Sequence, residues 1–159
     1  MKPKIRQIHQ EQWLPLPLPE VFAFFSSAEN LEQLTPPWVG FQILTPLPIS
    51  MHPGALIDYR IHLHGIPLTW RTEITVWEPP YRFVDLQLRG PYSLWRHEHL
   101  FVEKDGGTLV IDHIDYAIPF SWMPGASLVQ RFFVQPDLDK IFEYRSQALR
   151  RHFNIPQTT

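Results

Sequence analysis

Asp105-Gly106 constrains this chain more than any other pair of residues. The pair lies between two β-rich runs inside residues 90–119, GPYSLWRHEHLFVEKDGGTLVIDHIDYAIP. A two-residue Asp-Gly loop predicts a hairpin with a type I′ turn, because that turn needs positive φ at both central positions. It also sets the register. With Lys104 and Gly107 flanking the turn, Phe101 opposes Val110, His99 opposes Asp112, His97 opposes Ile114 and Trp95 opposes Tyr116. Side chains alternate along a strand, so all eight share one face. That face is mostly aromatic and aliphatic, with a His99–Asp112 pair in its middle. A broad apolar surface holding a few convergent polar groups is the composition of a small-molecule pocket wall.

The rest of the chain supplies partners for this hairpin. Residues 4–14, KIRQIHQEQWL, alternate in the manner of a strand. Leu14 to Pro19 is too rich in proline for regular structure. Pro19 suits the first turn of a short helix with Val21, Phe22 and Phe25 on one face. A second short helix is predicted over residues 29–34, ending at Thr35-Pro36-Pro37. Short strands follow at 41–45, 56–64, 68–77 and 82–89, with turns at Gly65-Ile66-Pro67, Pro79-Pro80 and Gly90-Pro91. Residues 121–135 are ambiguous: Trp122-Met-Pro-Gly125 begins as a loop, and Leu128 to Val134 fits either a strand or a distorted helical turn. A long helix then starts near Pro136, with Asp137 and Asp139 in its first turn and Arg150, Arg151 and His152 in its last. The expectation is an α+β architecture in which a curved sheet is covered by the long terminal helix. Seven strands form a curved antiparallel sheet, and two short helices and the long C-terminal helix enclose a cavity with it.

Bulk properties narrow the classes of function. At 159 residues the chain is expected to form a single ligand-binding domain over 1–159. It has no cysteine, which excludes disulfides, a thiol nucleophile and a zinc-thiolate site. A formal net charge of −2 offers no electrostatic footprint for nucleic acid. No apolar run approaches the roughly 18 residues of a membrane span, and the N-terminus lacks the pattern of a signal peptide. A cytoplasmic monomer or homodimer without a cofactor is expected. The 11 Phe, 6 Trp and 5 Tyr are many for this length and fit an aromatic-lined cavity.

Several strings resemble the helix-grip superfamily, which includes the START domains and the Bet v 1-like pollen allergens. They point to its bacterial SRPBCC, polyketide cyclase/dehydrase-like branch. The strings are Pro19-Glu-Val-Phe-Ala-Phe-Phe25, Asn30-Leu-Glu-Gln-Leu-Thr-Pro-Pro-Trp38, Phe83-Val-Asp-Leu-Gln87 before Gly90-Pro-Tyr92, Trp95-x-His-x-His-x-Phe101, Asp112-His-Ile-Asp-Tyr116 and Ile141-Phe-Glu-Tyr-Arg145. The resemblance covers nearly the whole chain. It implies a cavity for a hydrophobic small molecule such as a lipid, polyketide, isoprenoid or aromatic compound. Alternatively, it implies a cyclase, aromatase or dehydratase. Fold alone does not choose between these roles.

The candidate chemistry centres on His97, His99 and Asp112, an imidazole–carboxylate set suited to proton transfer, with Tyr116 as a proton donor. The same residues equally suit a buried, mutually satisfied pair that fixes register. The candidate cavity lining is Tyr59, Trp70, Asp85, Gln87, Trp95, Phe101, Ile114, Phe142 and Arg145. Asp85 depends on the Gly90-Pro91 connection. A two-residue loop sets it outward opposite Arg96, and a bulge sets it inward opposite His97. Arg145 lies in the helix's apolar stripe and is expected to reach a ligand carboxylate or to pair with Glu143 or Asp115. The His62/His64 and His97/His99 pairs suggest a metal. Their strands stand three places apart in a meander, roughly 14 Å, so no shared metal site is expected.

Overall fold

The computed structural model describes residues 2–157. Met1, Thr158 and Thr159, the ends of the single domain expected over 1–159, lie outside the described residues. Seven strands run β1 (Arg6–Leu14), β2 (Gln42–Ile43), β3 (Leu56–Leu63), β4 (Ile66–Glu78), β5 (Arg82–Arg89), β6 (Leu94–Lys104) and β7 (Gly107–Ala117). They form one sheet in the order β1-β7-β6-β5-β4-β3-β2, antiparallel throughout. The helices are α1 (Leu18–Phe25), α2 (Leu31–Leu34), α3 (Ala126–Val129) and α4 (Gln135–His152). This is the helix-grip α+β fold.

The β6–β7 hairpin has the register its turn dictates. Asp105 and Gly106 have φ of 51° and 76°, and His99 stands opposite Asp112. The β3–β4 turn differs from expectation. It is His64-Gly65, with φ of 50° and 80°, and Ile66 and Pro67 already pair with Leu63 and His62. Proline is tolerated at position 67 because β5 pairs with β4 no further than Arg71, so β4 has one neighbour there. Two register shifts between β4 and β5, at Arg71/Thr72 and Ile74/Val76, bend the sheet locally.

The helices differ from the sequence pattern in detail. The expected helix over 29–34 is a 3₁₀ turn, Ala28–Asn30, running into the single turn of α2. Residues 121–135 are not strand-like. From Ala126 the backbone is helical, and a π-helical turn, Gln130–Val134, joins α3 directly to α4. Pro136 explains the wide turn. It has no N–H to offer the carbonyl four residues back, and its ring crowds that carbonyl.

Burial fixes where α4 lies. Leu138 packs on Ile114 and Tyr116 of β7. Ala148 and Leu149 join Phe22 and Phe25 of α1 and Phe83 and Phe101 of the sheet. Each of the leucine, isoleucine and phenylalanine side chains among these contributes roughly 1.5–3 kcal/mol when fully buried, and the Ala148 methyl about 0.8 kcal/mol. The two ends of α4 are thus clamped, and its middle, from Ile141 to Arg145, faces the remaining space.

Candidate functional site

A cavity of about 200 Å³ lies between α4, α1, α2 and the β3–β6 part of the sheet. Its walls are mainly aromatic and aliphatic. Tyr59 stacks on Trp70 at 5.7 Å, and Trp70 meets Trp95 edge-on at 5.6 Å. Phe142 and Ile141 of α4 form the facing wall. The polar part of the lining includes Asp85, His97, His99 and Arg145.

The polar end is built by three adjacent strands. Asp85 stands opposite His97, so the β5–β6 connection takes the inward alternative. The side chains then bond diagonally rather than straight across. His97 Nε2 donates to Asp112 Oδ1 at 2.7 Å. His99 Nε2 lies 2.8 Å from Asp85 Oδ2. His99 Nδ1 comes within 3.0 Å of the same Asp112 oxygen, as an ion-pair contact rather than an aligned hydrogen bond. Arg145 Nη2 reaches that oxygen at 3.5 Å, and its guanidinium lies over the Phe25 ring. The two imidazoles stack at 3.7 Å, with Phe83 on the far side of His99 at 4.2 Å.

The electrostatics follow from this geometry. Burial opposes charge on both histidines. In His97 burial wins, helped by its His99 neighbour, and its pKa falls below the ordinary value. In His99 the carboxylates of Asp112 and Asp85 outweigh burial, and its pKa rises. Burial also pushes the carboxyl of Asp112 upward, but Arg145 and the two imidazoles hold it well below the usual range. Asp85 is lowered as well, its burial outweighed by His99, His97 and Arg145. The two carboxylates thus favour the protonated form of His99, and together with Arg145 it offsets their charge, while His97 is held toward its neutral form. Burial also raises the phenols of Tyr59 and Tyr92, keeping them neutral.

Not every candidate residue meets the cavity. Tyr59, Trp70, Asp85, Trp95, His97, His99, Phe142 and Arg145 line it. Asp112 stands behind the two imidazoles. Tyr116 does not supply a proton donor to the cavity. The π-helical turn and α4 cover it, and its hydroxyl bonds Gln130 at 2.6 Å and Gln135 at 3.1 Å. Phe101 is packed under α1 against Phe22 and Phe25. Ile114 is sealed beneath Leu138. Gln87 braces the β5–β6 connection instead, donating to the Tyr92 carbonyl at 2.7 Å. Arg145 pairs with Asp112 rather than with Glu143 or Asp115. His64 turns to α4 and bonds Asp137 at 2.7 Å.

The sequence reading overlooked Tyr92, Phe41 and the α1–α2 residues Phe24, Phe25 and Leu34, which also line the cavity. Tyr92 sits in a proline turn, where strand alternation gives no facing. The α1 residues show only a helical apolar stripe, and that pattern does not tell core from cavity wall.

Comparisons agree with this architecture. A family model described as polyketide cyclase/dehydrase and lipid transport matches residues 14–140. No curated protein matches the chain by sequence. Among solved structures, a Mycobacterium smegmatis protein is similar at a TM-score of 0.67 and 16% identity, covering 93% of this chain and 90% of its own. The ZhuI aromatase/cyclase of a Streptomyces species is similar at 0.65 and 13%, covering 93% and 96%. The structure of Ara h 8.0201 is similar at 0.66 and 12%, covering 96% and 100%. At these identities the likeness shows the shared fold alone. The family match, spanning most of the chain, is what assigns the protein: it belongs to the polyketide cyclase/dehydrase and lipid transport family.

Proposed function

We propose that the chain acts as one unit that binds a small, hydrophobic and electrically neutral molecule between the sheet and α4. The observation that carries this reading is the cavity itself. It is aromatic on most sides and, at its polar end, the charged groups Asp85, Asp112 and Arg145 are already engaged with one another or with His97 and His99. A carboxylate ligand would find Arg145 engaged, whereas a carbonyl or hydroxyl would find donors. Trp70 Nε1 and Arg145 Nε are buried without a protein acceptor, among the described residues. Leaving such a group unsatisfied costs roughly 1–3 kcal/mol, so a ligand oxygen that reached either after a small side-chain movement would be favoured. At about 200 Å³ the space lies below the usual 300–1,000 Å³ of drug-sized sites, so a compact ligand fits best.

A second reading has a specific observation behind it. Neutral His97, held by Asp112 at 2.7 Å, lines the cavity and is placed to move a proton on a bound ketone or hydroxyl compound. Such a step is the chemistry of a cyclase or dehydratase.

Native mass spectrometry of protein purified from its own host tests the binding reading. A retained neutral mass, lost on organic extraction, is the expected result. Titration with an aromatic ketone and with the carboxylate of the same shape, read by tryptophan fluorescence, tests the preference. Equal or tighter binding of the carboxylate would reject neutrality, and saturable binding of neither compound would reject the site.

A further inference from the structure

The geometry points to a mononuclear site for a divalent transition metal, with Asp85, His97 and His99 as ligands and Asp112 orienting both imidazoles from behind. Each of the three ligands offers one atom, and these atoms lie within 4.8 Å of one another. Asp85 Oδ2 and His99 Nε2 are already 2.8 Å apart. Around an ion with bonds near 2.0–2.1 Å, neighbouring ligand atoms stand roughly 3 Å apart, so the set closes if the ligand atoms move inward by about an ångström and the two imidazoles, now stacked with 28° between their planes, turn until both ring planes contain the ion.

Outer contacts favour the same assignment. His97 Nε2 is committed to Asp112, which leaves Nδ1 as its ligand atom. His99 Nδ1 also faces Asp112, at 3.0 Å, which leaves Nε2. A carboxylate behind a histidine fixes the ring's orientation and raises its basicity, the usual support of a metal-bound imidazole. Asp112 serves both rings at once. Arg145 is the obvious objection, since a cation repels a cation. Its guanidinium lies against Asp112, however, at 3.5 Å. The Arg145–Asp112 charges cancel, and the ion meets one carboxylate and two neutral imidazoles. When the metal enters, the proton shared between His99 Nε2 and Asp85 Oδ2 leaves to solvent. The remaining coordination positions open into the cavity. A set of two nitrogens and one oxygen with open positions suits zinc or ferrous iron.

The His97/His99 pair supplies two of the three ligands, whereas His62 and His64 lie on a distant strand. The third ligand is an aspartate on the neighbouring strand β5, brought inward by the register of the β5–β6 connection.

The test uses the full chain, stripped with a chelator and titrated with Co²⁺. One equivalent is expected to bind, with visible d–d bands of low coordination number, and Zn²⁺ is expected to displace it. In the wild-type protein two histidine N–H proton resonances, from His97 Nε2 and His99 Nδ1, should be shifted far out by the paramagnetic ion. Asp112→Asn should weaken affinity about 10–100-fold. Asp85→Asn and His99→Gln should remove the d–d bands, and His64→Ala should leave them unchanged. The assignment is overturned if wild type shows no saturable Co²⁺ binding, if Asp85→Asn or His99→Gln binds as tightly as wild type, or if His64→Ala abolishes binding. Where a variant does not fold, the shifted N–H resonances of wild type decide, and their absence rejects the site. The cavity reading is scored separately, by ketone binding in excess chelator. Ketone binding without Co²⁺ binding removes the metal alone, and the converse removes the ketone site alone.

Discussion

At the scale of single residues, Asp112 carries the most. Its side chain is one-tenth exposed, yet one of its oxygens meets His97, His99 and Arg145. Removing one partner from a buried charge network is costly because the others stay buried and uncompensated. Asp112→Asn is therefore expected to lower stability by about 3 kcal/mol at neutral pH, read as a shift in the urea midpoint. A change within the error of that measurement would mean that Arg145 and His99 find other partners. Gly40 is a different kind of residue. It has φ of 58°, and a Cβ there would stand 2.6 Å from His62 Nδ1. Gly40→Ala should cost roughly 1–2 kcal/mol from the backbone alone, and Gly40→Ala combined with His62→Ala should recover only the steric part. Residue identity was legible at the first of these places and not at the second. A His–Asp pair announces itself through the hairpin register. A glycine's need for positive φ shows only once its loop has a shape. The diagonal bonding of His97 to Asp112 and of His99 to Asp85 was likewise beyond the sequence, because register fixes Cα neighbours and rotamers choose among them.

Elements were legible where local chemistry dictates conformation. The Asp-Gly turn imposed both the β6–β7 hairpin and its register. The α4 pattern of apolar residues, acidic start and basic end was visible for the same reason. The π-helical turn was not, since it is the compromise of a continuous helix with Pro136, and periodicity alone reads that compromise as ambiguity. The β3–β4 pair offers a test at this scale. Asp58 and Arg71 stand directly opposite one another and form a two-pronged ion pair at 2.7 and 2.9 Å. The hydrogen bond from Arg71 lowers the Asp58 pKa from its ordinary 3.8. A depressed folded-state pKa adds stability that is fully present above the unfolded value and is lost as pH falls through the folded one. Wild type and Asp58→Asn should therefore differ in urea midpoint at near-neutral pH. The gap should narrow once pH drops below the ordinary 3.8 and close in stronger acid. Because Arg71 is half exposed, salt should shrink the gap as well. A gap that grows in acid would mean the pair is not what Asp58 contributes.

For the whole molecule, the sheet and α4 form two walls that meet at their ends and leave space in the middle. A polypeptide core normally fills to crystal-like density, so a lined cavity of about 200 Å³ is a departure that costs stability. This departure also explains why the fold was easier to read than the site. Apolar periodicity reports which faces turn inward, whichever side of a gap they occupy. Phe101 and Ile114 share a face with His97 and His99, yet α1 and Leu138 cover them while the histidines stay open to the cavity. Whether a residue is core or wall is decided by the opposite layer, which no local pattern contains. Ile141 of α4 supplies the test. It is half-buried, lines the cavity and packs against the apolar cluster of Val39, Ile61 and Trp70. Ile141→Phe adds a ring's volume toward the gap. Filling a void replaces lost contacts, so the variant should unfold at the same or a slightly higher urea concentration, by up to about 1 kcal/mol. It should at the same time bind an aromatic ketone at least about tenfold more weakly, a difference of roughly 1.4 kcal/mol. A variant that is destabilised and still binds as wild type would show that the ring has gone elsewhere and that Ile141 does not bound the ligand's space. Greater stability together with lost binding would tie the cavity's volume, rather than any one polar group, to the function of the fold.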